Sequence, residues 1–260
     1  MNKTFCVISH THWDREWYFT FEQFRIKLID LIDNLLDILA NDPSYIFHLD
    51  AQTVVLEDYL EIKPYQRVHL EKYIKSGNII VGPWYVQNDF YLSSAEATVR
   101  NLLIGMKIAE DFGKCAKIGY TPDQFGLPGQ LPQIFNDFGL KSHIFGRGYA
   151  KYENGRKIPQ SAEFIWQSPD GSEVFSVIMP FWYNNAQRFS ENIDKSVLLV
   201  NKMKEAFKDW TDSQYILMMN GVDHLEAQEN LKPILEKVNE RLDDGKVVQM
   251  SMQDYIDMIM

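Results

Sequence analysis

Short apolar runs alternate with segments of helical period along nearly all of this 260-residue chain. That alternation restricts the fold more than any other feature. Residues 5–9 are apolar and bounded by polar positions, as in a strand buried on both faces. Residues 24–40 repeat apolar side chains at helical spacing, with Ile26, Ile29, Leu35, Leu36 and Leu39 on one broad face. Further strands are expected at 45–49, 78–86, 117–120, 142–145, 215–219 and 247–250. Between them fall helices at 52–62 and 65–74, split by Pro64, and at 131–138, stopped by Gly139. A long helix capped by Ser93 or Ser94 ends near Gly113, two more cover 194–210 and 228–242, and a last one begins at 253. Residues 164–179 differ, because two β-rich segments flank Pro169-Asp170-Gly171, a hairpin signal. Strands alternating with helices imply an α/β domain with a mostly parallel sheet and one antiparallel insertion. There is no repeat, low-complexity tract or linker, so residues 1–260 read as a single domain. The chain stops inside an apolar helical pattern, which is expected of an N-terminal fragment of something longer.

Composition narrows the partners. A net charge of -10 argues against nucleic acid and anionic membrane surfaces, both of which need a basic footprint. Cys6 and Cys115 form no CxxC pair, so thiolate metal sites and redox motifs are not indicated. The apolar stretch before His10 is too short for a signal core or a membrane span, and a cytoplasmic location is expected.

In folds of this class, functional side chains gather where strands end. The first strand runs into His10-Thr11-His12-Trp13-Asp14-Arg15-Glu16-Trp17-Tyr18. Extended chain alternates its side chains, so His10, His12 and Asp14 can share one face. An imidazole and a carboxylate two positions apart can bind one metal ion, although the pair also serves as an ordinary strand-end cap. The fourth strand ends in Tyr120-Thr121-Pro122-Asp123-Gln124-Phe125-Gly126, a carboxylate among rigid turn residues that could equally cap the next helix. A later strand ends in Asn220-Gly221-Val222-Asp223-His224. Each site alone is ambiguous. Three strand ends carrying Asp or His favour a shared metal centre.

These motifs resemble family 38 α-mannosidases of bacterial type, in the same order and across essentially the whole chain. The resemblance implies a distorted, mostly parallel β/α barrel of the glycoside hydrolase and deacetylase kind. It also implies a Zn2+ ion held by His12, Asp14, Asp123 and His224, with Asp123 doubling as catalytic nucleophile. By the same likeness Trp17 and Phe125 contact the sugar and Arg147 lies near the nucleophile; Asp223, beside the implied ligand His224, is a further substrate-binding candidate. His10 is expected to orient the ligands from behind.

A retaining glycosidase also needs a general acid. The animal enzymes of the family place an aspartate in the loop after a strand resembling 174–180, but here 181–188 carries no acid. Asp89, Asp223 and Asp50 are the candidates, with Asp89 foremost. The expected substrate is a mannose-containing oligosaccharide or glycoside, with mannosylglycerate or its 6-phosphate as an alternative. A metal-dependent carbohydrate deacetylase and a non-catalytic sugar-binding module are the other readings. A homo-oligomer of the full-length enzyme is compatible with the sequence. The 260-residue fragment by itself is expected to bind metal but to turn over weakly or not at all.

Overall fold

The structure is a computed structural model that describes residues 2–149, 152–153, 156–157 and 161–260. Strand β1 (Thr4–Thr11) is central. It is followed by α1 (Phe21–Asn41), β2 (Phe47–Leu49), α2 (Val54–Leu60), α3 (Arg67–Ser76) and β3 (Ile79–Ile80). Helix α4 (Ala95–Phe112) leads to β4 (Ile118–Thr121), α5 (Leu131–Asp137) and β5 (Ser142–Phe145). A short hairpin, β6 (Tyr152–Glu153) and β7 (Arg156–Lys157), precedes the longer hairpin β8 (Glu163–Gln167) and β9 (Glu173–Ile178). The chain continues through α6 (Ile193–Ala206), β10 (Tyr215–Asn220), α7 (Leu231–Asn239), β11 (Lys246–Gln249) and α8 (Met252–Ile259).

The strands form two main sheets. One has the order β10-β1-β2-β3, with β11 also paired to β1, and every pairing in it is parallel. The other has the order β4-β5-β9-β8 and is parallel except for the β8–β9 hairpin. Strand pairing among the described residues therefore does not by itself close a barrel. The two seams are bridged sparsely. At one, the Ala116 amide donates to the Val81 carbonyl (2.9 Å); at the other, the Ala186 amide donates to Met219 (3.1 Å) and the Asn185 side chain to Leu217 (3.0 Å).

Alternation along β1 sorts its side chains into two layers. Phe5 and Val7 pack among helix residues such as Phe24, Leu28, Leu31 and Ile32. Cys6 and Ile8 face an interior shared with Ile118, Tyr120, Ile144, Leu217 and Met219. Helix α1 buries the face carrying Phe24, Leu28, Leu31, Ile32, Leu35 and Leu39; Ile26, expected on it, is 62% exposed. Ser94 caps α4 by accepting from the Ala97 amide (3.1 Å). The expected strand at 78–86 pairs only at Ile79–Ile80. Beyond it, the Thr53 and Val54 amides bond to the Trp84 and Tyr85 carbonyls and the Tyr85 amide to Asn101 within α4 rather than to a ladder, and Trp84 meets Gln52 only as an isolated bridge.

Candidate active site

The interior parity of β1 carries through its end, so His10 and His12 follow Cys6 and Ile8 into the space between the sheets. Beside it, β10 has the opposite numbering: Leu217 and Met219 face inward, and Asp223 continues that series. Gly221 makes the juxtaposition possible, because a Cβ there would lie 2.0 Å from the His10 carbonyl oxygen. Without one, the two strand ends approach until His12 N donates to Val222 O (3.3 Å) and His224 N to His12 O (2.9 Å). Gly146 does the same at β4 and β5. A Cβ on it would lie 2.1 Å from Pro122 O, so the close pass brings Arg147 beside Asp123.

His12 is the hub. Its Nδ1 stands 2.8 Å from Asp50 Oδ2 in an ion-pair contact, and its Nε2 lies 3.5 Å from Asp14 Oδ1 and 3.9 Å from Asp123 Oδ2. Burial opposes a charge on this imidazole, but Asp50 and Asp14 outweigh it and hold its pKa well above the usual value. Burial likewise works against an Asp14 carboxylate, and His12 more than compensates, leaving Asp14 below its ordinary range. Asp123 goes the other way. Burial pushes it up, Asp223 and Asp14 add repulsion, and His12 with Arg147 only partly offsets them. Arg147 Nη2 is ion-paired to Asp123 Oδ1 at 2.6 Å.

Asp50 is fully buried, and Oδ2 also accepts from the Trp13 amide and the Gln52 side chain, both at 2.9 Å. It sits behind His12 with no exposure through which to meet a leaving group, which removes it as a general-acid candidate. His10 also departs from expectation. It is buried, burial keeps it neutral, and its Nε2 donates to the Tyr183 carbonyl (2.7 Å) rather than to any ligand candidate. Asp50, not His10, is the group that stands behind His12, where a carboxylate against one ring nitrogen aims the other nitrogen.

His224 lies at the site without facing it as His12 does. Asp223 occupies the inward position, and His224 turns at φ 55° into the helical layer, where it stacks on Phe24 with 4.1 Å between ring centroids. Its Nε2 donates to the Asp14 carbonyl (2.9 Å), which leaves the lone pair on Nδ1, a buried atom with no hydrogen-bond partner. Asp223 Oδ1 accepts from Tyr183 Oη (2.8 Å). Trp17 and Phe125 are 64% and 61% exposed, free to present flat faces to a ligand. The Asp89 carbonyl holds the turn into α4 through Leu92 and Ser93, and no hydrogen bond or ion pair ties its carboxylate to Asp123.

Among the described residues, no group of three or more His, Cys, Asp or Glu side chains is already assembled as a metal cage. The donor set nevertheless fits a zinc ion. Ligands about 2.1 Å from a tetrahedral centre stand roughly 3.4 Å apart, near the 3.5 and 3.9 Å that separate His12 Nε2 from the two carboxylates. Asp14 and Asp223 both repel the Asp123 carboxylate, and a cation would relieve that repulsion. His224 could complete the set through Nδ1, or through Nε2 after a ring turn.

Gln52, Gln87 and Tyr183 carry no motif and were not identified from sequence. Gln87 Nε2 donates to the Asp50 carbonyl (2.8 Å), and the Gln124 side chain donates to Gln87 Oε1, tying the Asp123 loop to the end of β2. The signal available for them was position alone, since 50–53 and 85–88 also follow strands.

The fold and the strand-end constellation define an α/β domain with acids and imidazoles gathered at its strand ends, and the chain belongs to the glycosyl hydrolases family 38 N-terminal domain family, whose model matches residues 2–260. It is 40% identical to a protein of Halalkalibacterium halodurans named "Putative mannosylglycerate hydrolase", over all of this chain and 30% of that one. It is 27% identical to α-mannosidase G of Dictyostelium discoideum, over 83% of this chain and 19% of that protein. A crystal structure of an α-mannosidase from Enterococcus faecalis V583 superposes with a TM-score of 0.92 at 33% identity, covering 98% of this chain and 29% of that one. The chain thus spans less than a third of the length of these relatives. A polysaccharide deacetylase structure from Mycobacterium smegmatis shares the fold alone, at 13% identity and a TM-score of 0.61.

Proposed function

We propose that this chain supplies the catalytic domain of a retaining α-mannosidase in which Asp123 is the nucleophile. The observation that carries the reading is the Asp123 carboxylate itself, half-buried at a strand end between His12 and Arg147. Arg147 holds Oδ1 at 2.6 Å, and the free Oδ2 stands 3.9 Å from His12 Nε2. Attack on the anomeric carbon forms a glycosyl–carboxylate bond as the aglycone leaves, and water then cleaves that bond with overall retention. A zinc ion held by His12, Asp14, Asp123 and His224 would supply Lewis acidity toward two adjacent sugar hydroxyls. Asp50 keeps the His12 imidazole aligned for that site. Trp17 and Phe125 offer apolar faces to the sugar, and the Tyr183–Asp223 pair offers hydrogen bonds to its hydroxyls. Asp89 remains the candidate acid on this reading.

The test is covalent trapping in the full-length enzyme. A slow fluorosugar mannoside should leave a mannosyl adduct on Asp123, detected by peptide mass spectrometry. An adduct on another carboxylate, or turnover of acetylated sugars with none trapped, moves the chemistry elsewhere and favours a deacetylase. A second reading is hydrolysis of mannosylglycerate, which the name of the 40% identical relative favours, or of its 6-phosphate. Comparing kcat/KM for those glycosides with that for a nitrophenyl α-mannoside separates the two.

A further inference from the structure

We infer that Trp182, through its indole ring, is a positioning residue that holds the Arg147 guanidinium against Asp123; the inference rests on Asp123 being the reacting carboxylate. Two independent observations support it. The guanidinium carbon lies 4.5 Å from the Trp182 ring centroid, with Phe125 at 5.8 Å on the same cation. A cation over an aromatic face is held by the ring quadrupole, most strongly by tryptophan. The second observation is the backbone. Trp182 has φ 71°, a left-handed conformation that a bulky side chain disfavours and glycine accepts.

Such a conformation persists where neighbours over-determine it, and it concentrates at functional sites. Here the Trp182 amide donates to the Met179 carbonyl (3.1 Å), while buried His10 grips the next carbonyl, that of Tyr183 (2.7 Å). The Tyr183 hydroxyl is anchored in turn on Asp223 (2.8 Å). The loop after β9 is therefore pinned on both sides of a residue whose backbone would be better served by glycine. What tryptophan adds at that position is its ring, which packs on Tyr183 (4.8 Å between centroids) and the core behind it and presents its face to Arg147. This also gives His10 a purpose that metal ligation does not.

The test uses the full-length enzyme. Trp182→Gly removes the ring and fits the backbone, but the packing lost on Tyr183 should lower its Tm, so activity is compared at a temperature where both proteins are folded. Its kcat/KM for a nitrophenyl α-mannoside should fall roughly 10- to 100-fold, the scale of a small misplacement of reacting groups, and the loss should lie in kcat rather than KM. Trp182→Tyr, which restores an aromatic face, should recover most of it. A crystal structure of Trp182→Gly should show Arg147 released from Asp123. Arg147 still ion-paired to Asp123 in that structure, or an unchanged kcat/KM, overturns the inference. The crystallographic result does not depend on which glycoside is cleaved. A wild type inactive on every mannoside, with Arg147 released in the variant, would sink the mannosidase reading and leave the positioning role standing.

Discussion

Asp123 and Asp14 both approach His12 Nε2, yet the proposed chemistry assigns them different duties. In the full-length enzyme, Asp14→Asn should weaken zinc binding but leave a nucleophile, so added zinc should restore part of the activity. Asp123→Asn should abolish glycosyl-enzyme formation at every zinc concentration, because an amide is a poor nucleophile. Equal recovery of the two variants in a zinc titration would reduce Asp123 to a ligand. Asp50 acts one residue further back. It fixes His12 by the 2.8 Å contact to Nδ1, and loss of such an outer partner typically costs 10- to 100-fold in metal affinity. Asp50→Asn should therefore raise the zinc Kd by roughly that factor, read by competition with a chelating dye. An unchanged Kd would make Asp50 a packing residue only.

At the scale of elements, the site depends on how closely strand ends can pass. The β5 end reaches the β4 end only because Gly146 has no side chain to strike Pro122 O. Gly146→Ala must push these ends apart, at a cost of roughly 1–3 kcal/mol typical of overpacking. Arg147 should lose its grip on Asp123 as a result. Urea unfolding should report the stability loss, and kcat/KM should fall by more than that loss of folded protein explains. Ser94→Ala is the matched control, since it removes the α4 cap at about 1 kcal/mol and touches nothing in the site. If the two variants lose activity in parallel, close passage of β4 and β5 has no special role.

At the scale of the molecule, two fully buried histidines link the fold to pH. Burial pushes both His48 and His143 from the ordinary 6.5 down to about 3. The unfolded chain binds these protons more readily than the folded one. Their stabilising effect is therefore complete above about pH 6.5 and is lost as pH falls toward 3. Between pH 6.5 and 5.5 each contributes a loss of about 1 kcal/mol. His143 neighbours Thr121, Phe135 and Phe145. His143→Gln, which cannot titrate, should flatten the dependence of unfolding free energy on pH by about that amount. A slope identical to wild type would mean that His143 titrates in the folded state as it does in the unfolded chain.

Most of the secondary structure was legible in the sequence because it depends on local periodicity. The helices at α1, α3 and α4 and the strands β1, β4, β5 and β10 lie within a few residues of where their patterns place them. The motif residues were legible too, since His12, Asp14, Asp123 and His224 sit at strand ends as expected. The 78–86 segment was not, because an apolar run does not say whether a neighbouring ladder will receive it. Nor was the placing of Asp50 rather than His10 behind His12, or the turn of His224 toward Phe24. Those depend on which strand lies beside β1, on the opposite parity of β10 and on the close pass that Gly221 permits. The sequence by itself determined an alternating α/β chain with acids and imidazoles at its strand ends, because side-chain period is a local property. Only the tertiary structure decided which of those groups meet and which nitrogen each imidazole presents, because parity between strands and the distance of closest approach are set by residues far apart in the chain.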